Sequence, residues 1–405
     1  MIRTRSVTDD MVWVGASDRR LALFENIFPA PRGVSYNSYL LLDEKTVLFD
    51  SVDQSVSRTF LENVSASLDG RSLDYIVIDH MEPDHCSVLE ELLASYPNAA
   101  VVGNAKTFVM IEQFYSPLAE ARRVVVRDGE TLSTGRHCLK FFTAPMVHWP
   151  EVMVCFDESN GVLFSADAFG AFGAMAGNIF ADELPIQQEW LPDMRRYYAN
   201  IVGKYGAQVQ SLFKKLGGLD LKTICPLHGP VWRTEQDILW LLEKYTLWSS
   251  YQPEEQKVVI ASASIYGNTE AAAERLALEL AGLGVTEIEM YDLSTTHFSY
   301  LIGEMFRCSH IVLSSPTYNG KIFPPMRHLL DDMRELNLQS RTVALIENGS
   351  WAPMSGKLMA AELSVMKNMT VLEPAVTLKS SMKEAQTGQL SSLARQIAGG
   401  LKCSL

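Results

Sequence analysis

The sequence predicts a two-domain α/β chain: a layered sandwich of two strand groups with flanking helices, followed by a doubly wound parallel sheet. Length is the first reason, since 405 residues exceed one ordinary domain and 47% hydrophobic residues suffice for two cores. The second is a change of pattern, from crowded short apolar runs to a regular alternation of strands and helices. The third is the polar stretch Ser249-Ser250-Tyr251-Gln252-Pro253-Glu254-Glu255-Gln256 between them, which places the domains at 1–252 and 253–405.

The first part opens on the short strands Met11 to Val14 and Tyr39 to Leu42. A turn at Asp43-Glu44-Lys45 returns the chain through Thr46 to Asp50 as a hairpin. Tyr75-Ile76-Val77-Ile78 reads as a buried strand. Ser87 to Tyr96 has apolar residues at helical spacing and is closed by Pro97. Further strands are expected at Val101-Val102, Val124 to Val126, Leu139 to Phe142, Val152 to Phe156 and Val162 to Phe164, the last pair joined by the turn Glu158-Ser159-Asn160-Gly161. Helices are expected over Met194 to Leu216 and Glu235 to Trp248. Two strand groups with helices make a layered sandwich.

The second part alternates. Strands are expected at Val258 to Ala261, Glu287 to Tyr291, His310 to Leu313, Thr342 to Ile346 and Met369 to Val371. The helices between and after them cover Asn268 to Leu283, Ser299 to Arg307, Met326 to Leu336, Lys357 to Met366 and Gln389 to Ala398. Such an alternation over so few residues is a doubly wound parallel sheet.

A net charge of -13 argues against nucleic acid, whose phosphates call for a basic surface. No apolar run is long enough to span a membrane, and the N-terminus lacks the apolar core of a secretory signal. The six cysteines (86, 138, 155, 225, 308 and 403) are scattered with no Cys-x-x-Cys pair, which excludes a rubredoxin-like or zinc-ribbon module within the chain. Reduced thiols in a cytoplasm are the expectation, with Cys86 and Cys225 read as core fillers.

The chemistry is densest at His80-Met81-Glu82-Pro83-Asp84-His85, an H-x-E-x-D-H motif directly after the strand at 75–78. Four potential ligands fall within six residues at a strand's carboxyl end. Mixed imidazoles and carboxylates without a thiolate favour iron or manganese over structural zinc. Three more candidates stand in loops: His148, Asp167 among small residues, and His228 between Pro226 and Pro230. A dinuclear site needs about six protein ligands or more, one of them able to bridge. The remaining histidines His137, His297, His310 and His328 match no ligand position.

This ligand order resembles that of the metallo-β-lactamase fold. With Glu82 at its third motif position the chain resembles the flavodiiron proteins, whose second domain is flavodoxin-like. The resemblance covers essentially the whole chain. It implies an N-terminal αββα metallo-β-lactamase-like sandwich and a C-terminal flavodoxin-like sheet. It further implies a diiron centre in which His80, Glu82 and His148 hold one iron, Asp84, His85 and His228 hold the other, and Asp167 bridges them. Glu82 in place of a second histidine makes a harder, more anionic site, suited to iron cycling rather than to a hydrolytic zinc pair.

Three loops of the second domain read as a flavin site. Ser264-Ile265-Tyr266-Gly267-Asn268-Thr269 runs from the first strand into a helix, where hydroxyls, backbone N–H groups and the helix dipole favour a phosphate. It is neither a Walker loop nor G-x-G-x-x-G. Ser315-Pro316-Thr317-Tyr318-Asn319-Gly320 and Asn348-Gly349-Ser350-Trp351 follow the third and fourth strands, where open sheets bind ligands. Each offers an aromatic ring with Gly and Asn nearby, suited to an isoalloxazine. The arrangement resembles flavodoxin, which implies FMN; the third loop is less glycine-rich than in some members.

The resemblance implies a reductase of dioxygen to water, of nitric oxide to nitrous oxide, or of both, since FMN and two ferrous ions together hold four electrons. An external donor such as rubredoxin or a reduced deazaflavin would load it. Family members pair head to tail, as homodimers or dimers of dimers. The alternatives are a zinc-dependent hydrolase of the metallo-β-lactamase superfamily with a flavodoxin-like appendage, and a plain electron carrier with a vestigial metal site.

Overall fold

The computed structural model describes residues 2–116, 119 and 122–403, excepting the side chains of 402 and 403. The chain divides into two compact units, Met1–Tyr198 with Tyr205–Thr246, and Ala199–Lys204 with Leu247–Leu405.

The first unit contains two facing sheets. The larger runs in the order Arg5–Ser6, Met11–Trp13, Tyr39–Leu42, Thr46–Phe49, Tyr75–Val77, Ala100–Gly103 and Arg123–Val125. Its pairs are antiparallel as far as Thr46–Phe49 and parallel thereafter. The smaller runs Thr131–Ser133, Cys138–Thr143, Met153–Asp157, Val162–Phe164 and Thr223–Cys225. Phe49 from the first sheet stacks on Phe164 from the second at 3.6 Å between centroids, with Tyr39 at the edge of Phe164 at 5.7 Å. Both faces of the large sheet are covered, so Thr46–Phe49 is buried along its whole length rather than alternating.

Two helices over this sheet were not among the expected elements, Ser57–Leu68, which buries Phe60, Val64 and Leu68 at helical spacing, and Ala105–Phe114. The second is capped by Asn104, whose side chain accepts from the backbone N–H groups of Lys106 and Thr107. The first is held through Asn63, whose amide donates to the carbonyls of Arg3, Val14 and Gly15. The expected helix over 194–216 is interrupted. Leu191–Tyr197 opens into wide turns at Tyr198–Val202 and resumes only at Gly206–Leu216, with Gly203 and Gly206 weakening the intervening stretch.

The second unit is a parallel sheet in the order Ile288–Asp292, Glu255–Ser262, Cys308–Tyr318, Thr342–Asn348, and then a split fifth strand. That last strand comprises Thr370–Val371 and Val376–Leu378, so the expectation of one strand at 369–371 captured only its first piece. The order is 2-1-3-4-5, the flavodoxin-like doubly wound arrangement. One face packs Val258, Ile260 and Val312 against Ala272 and Leu276 of the helix Asn268–Gly282 and against Leu390 and Ile397 of the helix Glu384–Cys403. Arg341 is fully buried, and carbonyls solvate its guanidinium. It donates to Met305 O, Phe306 O, Tyr251 O and Gln339 O, all at 2.8 Å. Burial nonetheless pushes it down to about 10. Among the described residues no helix is long and apolar enough to cross a membrane.

Candidate metal centre and cofactor pocket

The strand Tyr75–Val77 delivers the chain to the centre of the first unit, and a short helix Pro83–Cys86 turns it there. Glu82 has extended backbone (ψ 138°), and Pro83 starts the helix, a position that needs no N–H donor. The side chains of Glu82, Asp84 and His85 are thereby gathered around a single turn.

The seven ligand candidates form two groups. His80, Glu82, His148 and Asp167 bring one ligand atom each to within 4.8 Å of one another, and so do Asp84, His85 and His228. Asp167 faces both. Its Oδ2 lies 3.0 Å from His148 Nε2 and 3.4 Å from His80 Nε2. Its Oδ1 lies 3.1 Å from His85 Nε2 and 3.6 Å from His228 Nε2. Glu82 Oε2 closes the first group at 3.0 Å from His148, and Asp84 Oδ2 closes the second at 3.2 Å from His228.

The chemistry of this cluster suits cations. Both carboxylate oxygens of Asp84, Oδ1 of Asp167, and the Nε2 atoms of His85 and His228 are buried without a hydrogen bond. Leaving so many polar atoms unpaired would be costly, and two cations would satisfy them together. Burial by itself would keep the imidazoles neutral. The Asp84 and Asp167 carboxylates overcome it at His85, and Asp167 and Glu82 do so at His148, pushing each up to about 9. Asp167 is held well below the usual carboxylate range despite burial, because His85, His148 and His80 surround it. Four imidazoles with three carboxylates and no thiolate suit two iron ions.

Residues with no signature in the sequence orient these ligands. Glu151 Oε1 sits 2.8 Å from His80 Nδ1 and accepts from the Met81 N–H at 2.9 Å. His228 Nδ1 lies 2.8 Å from Ser35 O, while Ser35 Oγ accepts from the Gly229 N–H at 2.7 Å. These two imidazoles are thus fixed with Nε2 facing inward, an arrangement that sets both tautomer and ring orientation. Asp50 Oδ1 accepts from the backbone N–H groups of Asp79 and His80. Phe24, Tyr36 and Tyr197 place their rings 5.3, 5.6 and 5.5 Å from that of His228, an aromatic wall on one side of the centre.

Phe24 belongs to a hairpin of Leu23–Phe24 and Phe28–Pro29, at whose tip Glu25 and Asn26 both have positive φ. Much of Glu25 is exposed there, yet its carboxyl end lies against Glu82. Burial of that end, and then the Glu82 charge, push it up to about 8. Cys86 donates to Met81 O at 3.0 Å, and burial pushes its thiol up to about 12, so it is no nucleophile. His137 is buried between Asp10 and Asp157, His310 is buried in a strand, and His328 is exposed.

The second unit has a cavity of about 620 Å³ at the carboxyl ends of its strands. Ser264, Ile265, Tyr266, Asn268 and Thr269 line it, with Pro316 to Gly320 and Asn348 to Ala352. Two expected residues support the wall rather than form it. Gly267 (φ 86°) makes the turn into the helix Asn268–Gly282, its N–H donating to Ser264 Oγ, and Ser315 is fully buried, its carbonyl accepting from Ser355 Oγ. Ala352, next in the third loop, also lines the cavity, and so does Ser380, which lies outside the three loops. Thr317 is partly engaged, since its Oγ1 accepts from the N–H groups of Met354 and Ser355. The size suits a small cofactor. A helix N-terminus at one end and the exposed rings of Tyr266, Tyr318 and Trp351 suit a molecule with a phosphate and a flat ring system.

Residues 34–229 match a family described as ODP family beta lactamase. The chain is 30% identical over 407 residues to a rubredoxin-oxygen oxidoreductase of Megalodesulfovibrio gigas, covering 100% of both. It is 28% identical to a nitric oxide reductase of Moorella thermoacetica, covering 97% of this chain and 98% of the other. Among solved structures, the rubredoxin oxygen:oxidoreductase of Desulfovibrio gigas superposes with a TM-score of 0.92 at 30% identity over 99% of each chain. The flavodiiron protein of Giardia intestinalis superposes with a TM-score of 0.93 at 25% identity, covering 100% of this chain and 98% of that one.

Proposed function

The chain belongs to the flavodiiron proteins, and from that premise we propose an oxidoreductase that reduces dioxygen to water, nitric oxide to nitrous oxide, or both. The observation that carries this reading is the division of Asp167, one carboxylate oxygen toward each group of ligands. In this proposal His80, Glu82 and His148 hold one iron, Asp84, His85 and His228 the other, and Asp167 bridges. The FMN pocket is the cavity at Ser264 to Thr269, Pro316 to Gly320 and Asn348 to Trp351. The two domains, 1–252 and 253–405, would each carry one cofactor.

When bound, the iron pair binds and polarises the diatomic and, with FMN, supplies up to four electrons. The residues supply the rest. Glu151 and Ser35 hold His80 and His228 through Nδ1, so that their Nε2 atoms would be free to hold the irons. The Phe24, Tyr36 and Tyr197 rings exclude water from one side. Glu25 is placed beside Glu82, where protons are consumed. Two relatives named for dioxygen and for nitric oxide reduction support the substrate class, and the first supports a rubredoxin-type donor, with a reduced deazaflavin as the other choice. We propose a head-to-tail homodimer or a dimer of such dimers, in which the exposed aromatic rim of one flavin pocket meets a second copy, and a cytoplasmic location.

Neither rival has comparable support. A zinc hydrolase fits poorly with Glu82 among the ligands and with relatives named as reductases. An electron carrier would have no use for seven converging ligands. The test combines metal and flavin analysis of the purified chain with anaerobic measurement of dioxygen and nitric oxide consumption under a saturating artificial donor. About two irons and one FMN per chain, with turnover of at least one gas, are expected. About two zincs and no flavin would overturn the proposal.

A further inference from the structure

The cavity of the second unit has a wall outside the three loops that the sequence suggests. Ser380, after the second piece of the split fifth strand, lines it with left-handed backbone (φ 69°). That conformation is unfavourable for a residue with a side chain, so something must hold it. Asn348 does so: its Oδ1 accepts from the Ser380 N–H at 3.0 Å, and its Nδ2 donates to Ser380 O at 2.8 Å.

The same Nδ2 donates to Thr269 Oγ1 at 3.2 Å. Both amide hydrogens of Asn348 are therefore engaged within the protein. Asn348 is a strut between the first loop and the loop of Ser380, and a positioning residue rather than a donor to the cofactor. Facing the cavity instead is a pair of hydroxyls, with Ser380 Oγ donating to Ser350 Oγ at 2.9 Å. A hydroxyl that accepts in this way keeps its own hydrogen for an acceptor in the cavity.

Position and charge say which acceptor. Thr269 lies in the first turn of the helix Asn268–Gly282, the end that attracts an anion, and the Asn348 strut brings Ser380 to that end. Residues 264–270 and 348–352 contain no lysine or arginine, whereas the loop of Ser380 carries Lys379 and Lys383. We propose that the loop from Lys379 to Lys383 is a fourth element of the flavin pocket, in which the Ser350 hydroxyl, oriented by that of Ser380, donates to the phosphate of FMN. This rests on the reading of the cavity as the FMN site.

The test is fluorescence titration of the deflavinated full-length chain, iron retained, with FMN and separately with riboflavin, which lacks the phosphate. Ser350→Ala removes the donor, and Ser380→Ala removes the hydroxyl that orients it. Ser350→Ala should bind FMN about tenfold more weakly or worse, as for a lost hydrogen bond to a charged group, and Ser380→Ala about threefold or more, with riboflavin changed by less than about twofold in both. Unchanged FMN affinity in Ser350→Ala, or equal weakening toward both flavins, would each overturn the inference. A wild-type chain that takes up neither flavin would be a different failure, overturning the cavity's assignment and this inference with it.

Discussion

Glu151 Oε1 lies 2.8 Å from Nδ1 of His80, and this contact determines which nitrogen of His80 faces the other ligands. The same oxygen accepts from the Met81 N–H, so one carboxylate fixes both the ring and the backbone of the ligand loop. Glu151→Ala should lower iron affinity about 10- to 100-fold, the usual consequence of losing such a partner, and leave FMN content unchanged. Glu151→Gln keeps an acceptor and should recover much of that loss. Iron occupancy under graded chelator reads both; equal affinity in wild type and Glu151→Ala would refute the role.

The separation of the two cofactor sites gives a reciprocal prediction. Asp167→Ala removes a side chain that faces both ligand groups and should cost one or both irons while FMN is retained. Thr269→Ala, at the helix N-terminus of the other site, should weaken FMN about tenfold and spare the iron. Metal and flavin assays on the same preparations decide it. Loss of both cofactors from either variant would contradict independent sites.

A third expectation concerns pH. His137 Nδ1 lies 2.6 Å from Asp157 and Nε2 lies 2.9 Å from Asp10, while Arg136 reaches Asp10 and Asp43 beside it. Burial opposes the charged imidazole, but the two carboxylates outweigh it and raise its pKa above the ordinary value. A raised folded-state pKa means stabilisation that is complete below the unfolded value of about 6.5 and is lost as pH rises through the folded one. His137→Gln should therefore melt below wild type by several degrees at pH 6, for about 1–2 kcal/mol lost, and the gap should narrow by pH 9. A gap independent of pH would show that the charge is not involved.

The contact between the sheets of the first unit is a matter of packing alone. Phe164, 3% exposed and stacked on Phe49 at 3.6 Å, should cost about 3–5 kcal/mol when truncated to alanine. Chemical denaturation measures this; a loss under about 1 kcal/mol would mean that the sheets close over the gap.

Much of this protein was determined by sequence alone, for a simple reason. His80, Glu82, Asp84 and His85 are neighbours in the chain, and the flavin loops sit where apolar strands end, so local spacing reveals them. The parallel sheet was equally legible, because helices at period 3.6 alternate with β-branched runs. Tertiary structure decided the rest. A glutamate three residues after His148, an aspartate after a strand at residue 50 and a serine at residue 380 have no local pattern that marks them. Glu151, Asp50 and Ser380 acquire meaning only when the fold brings them to His80, to the His80 backbone and to Asn348. The division of Asp167 between two ligand groups is likewise a fact of orientation, since a carboxylate's two oxygens are chemically identical until the fold places a different set of imidazoles before each.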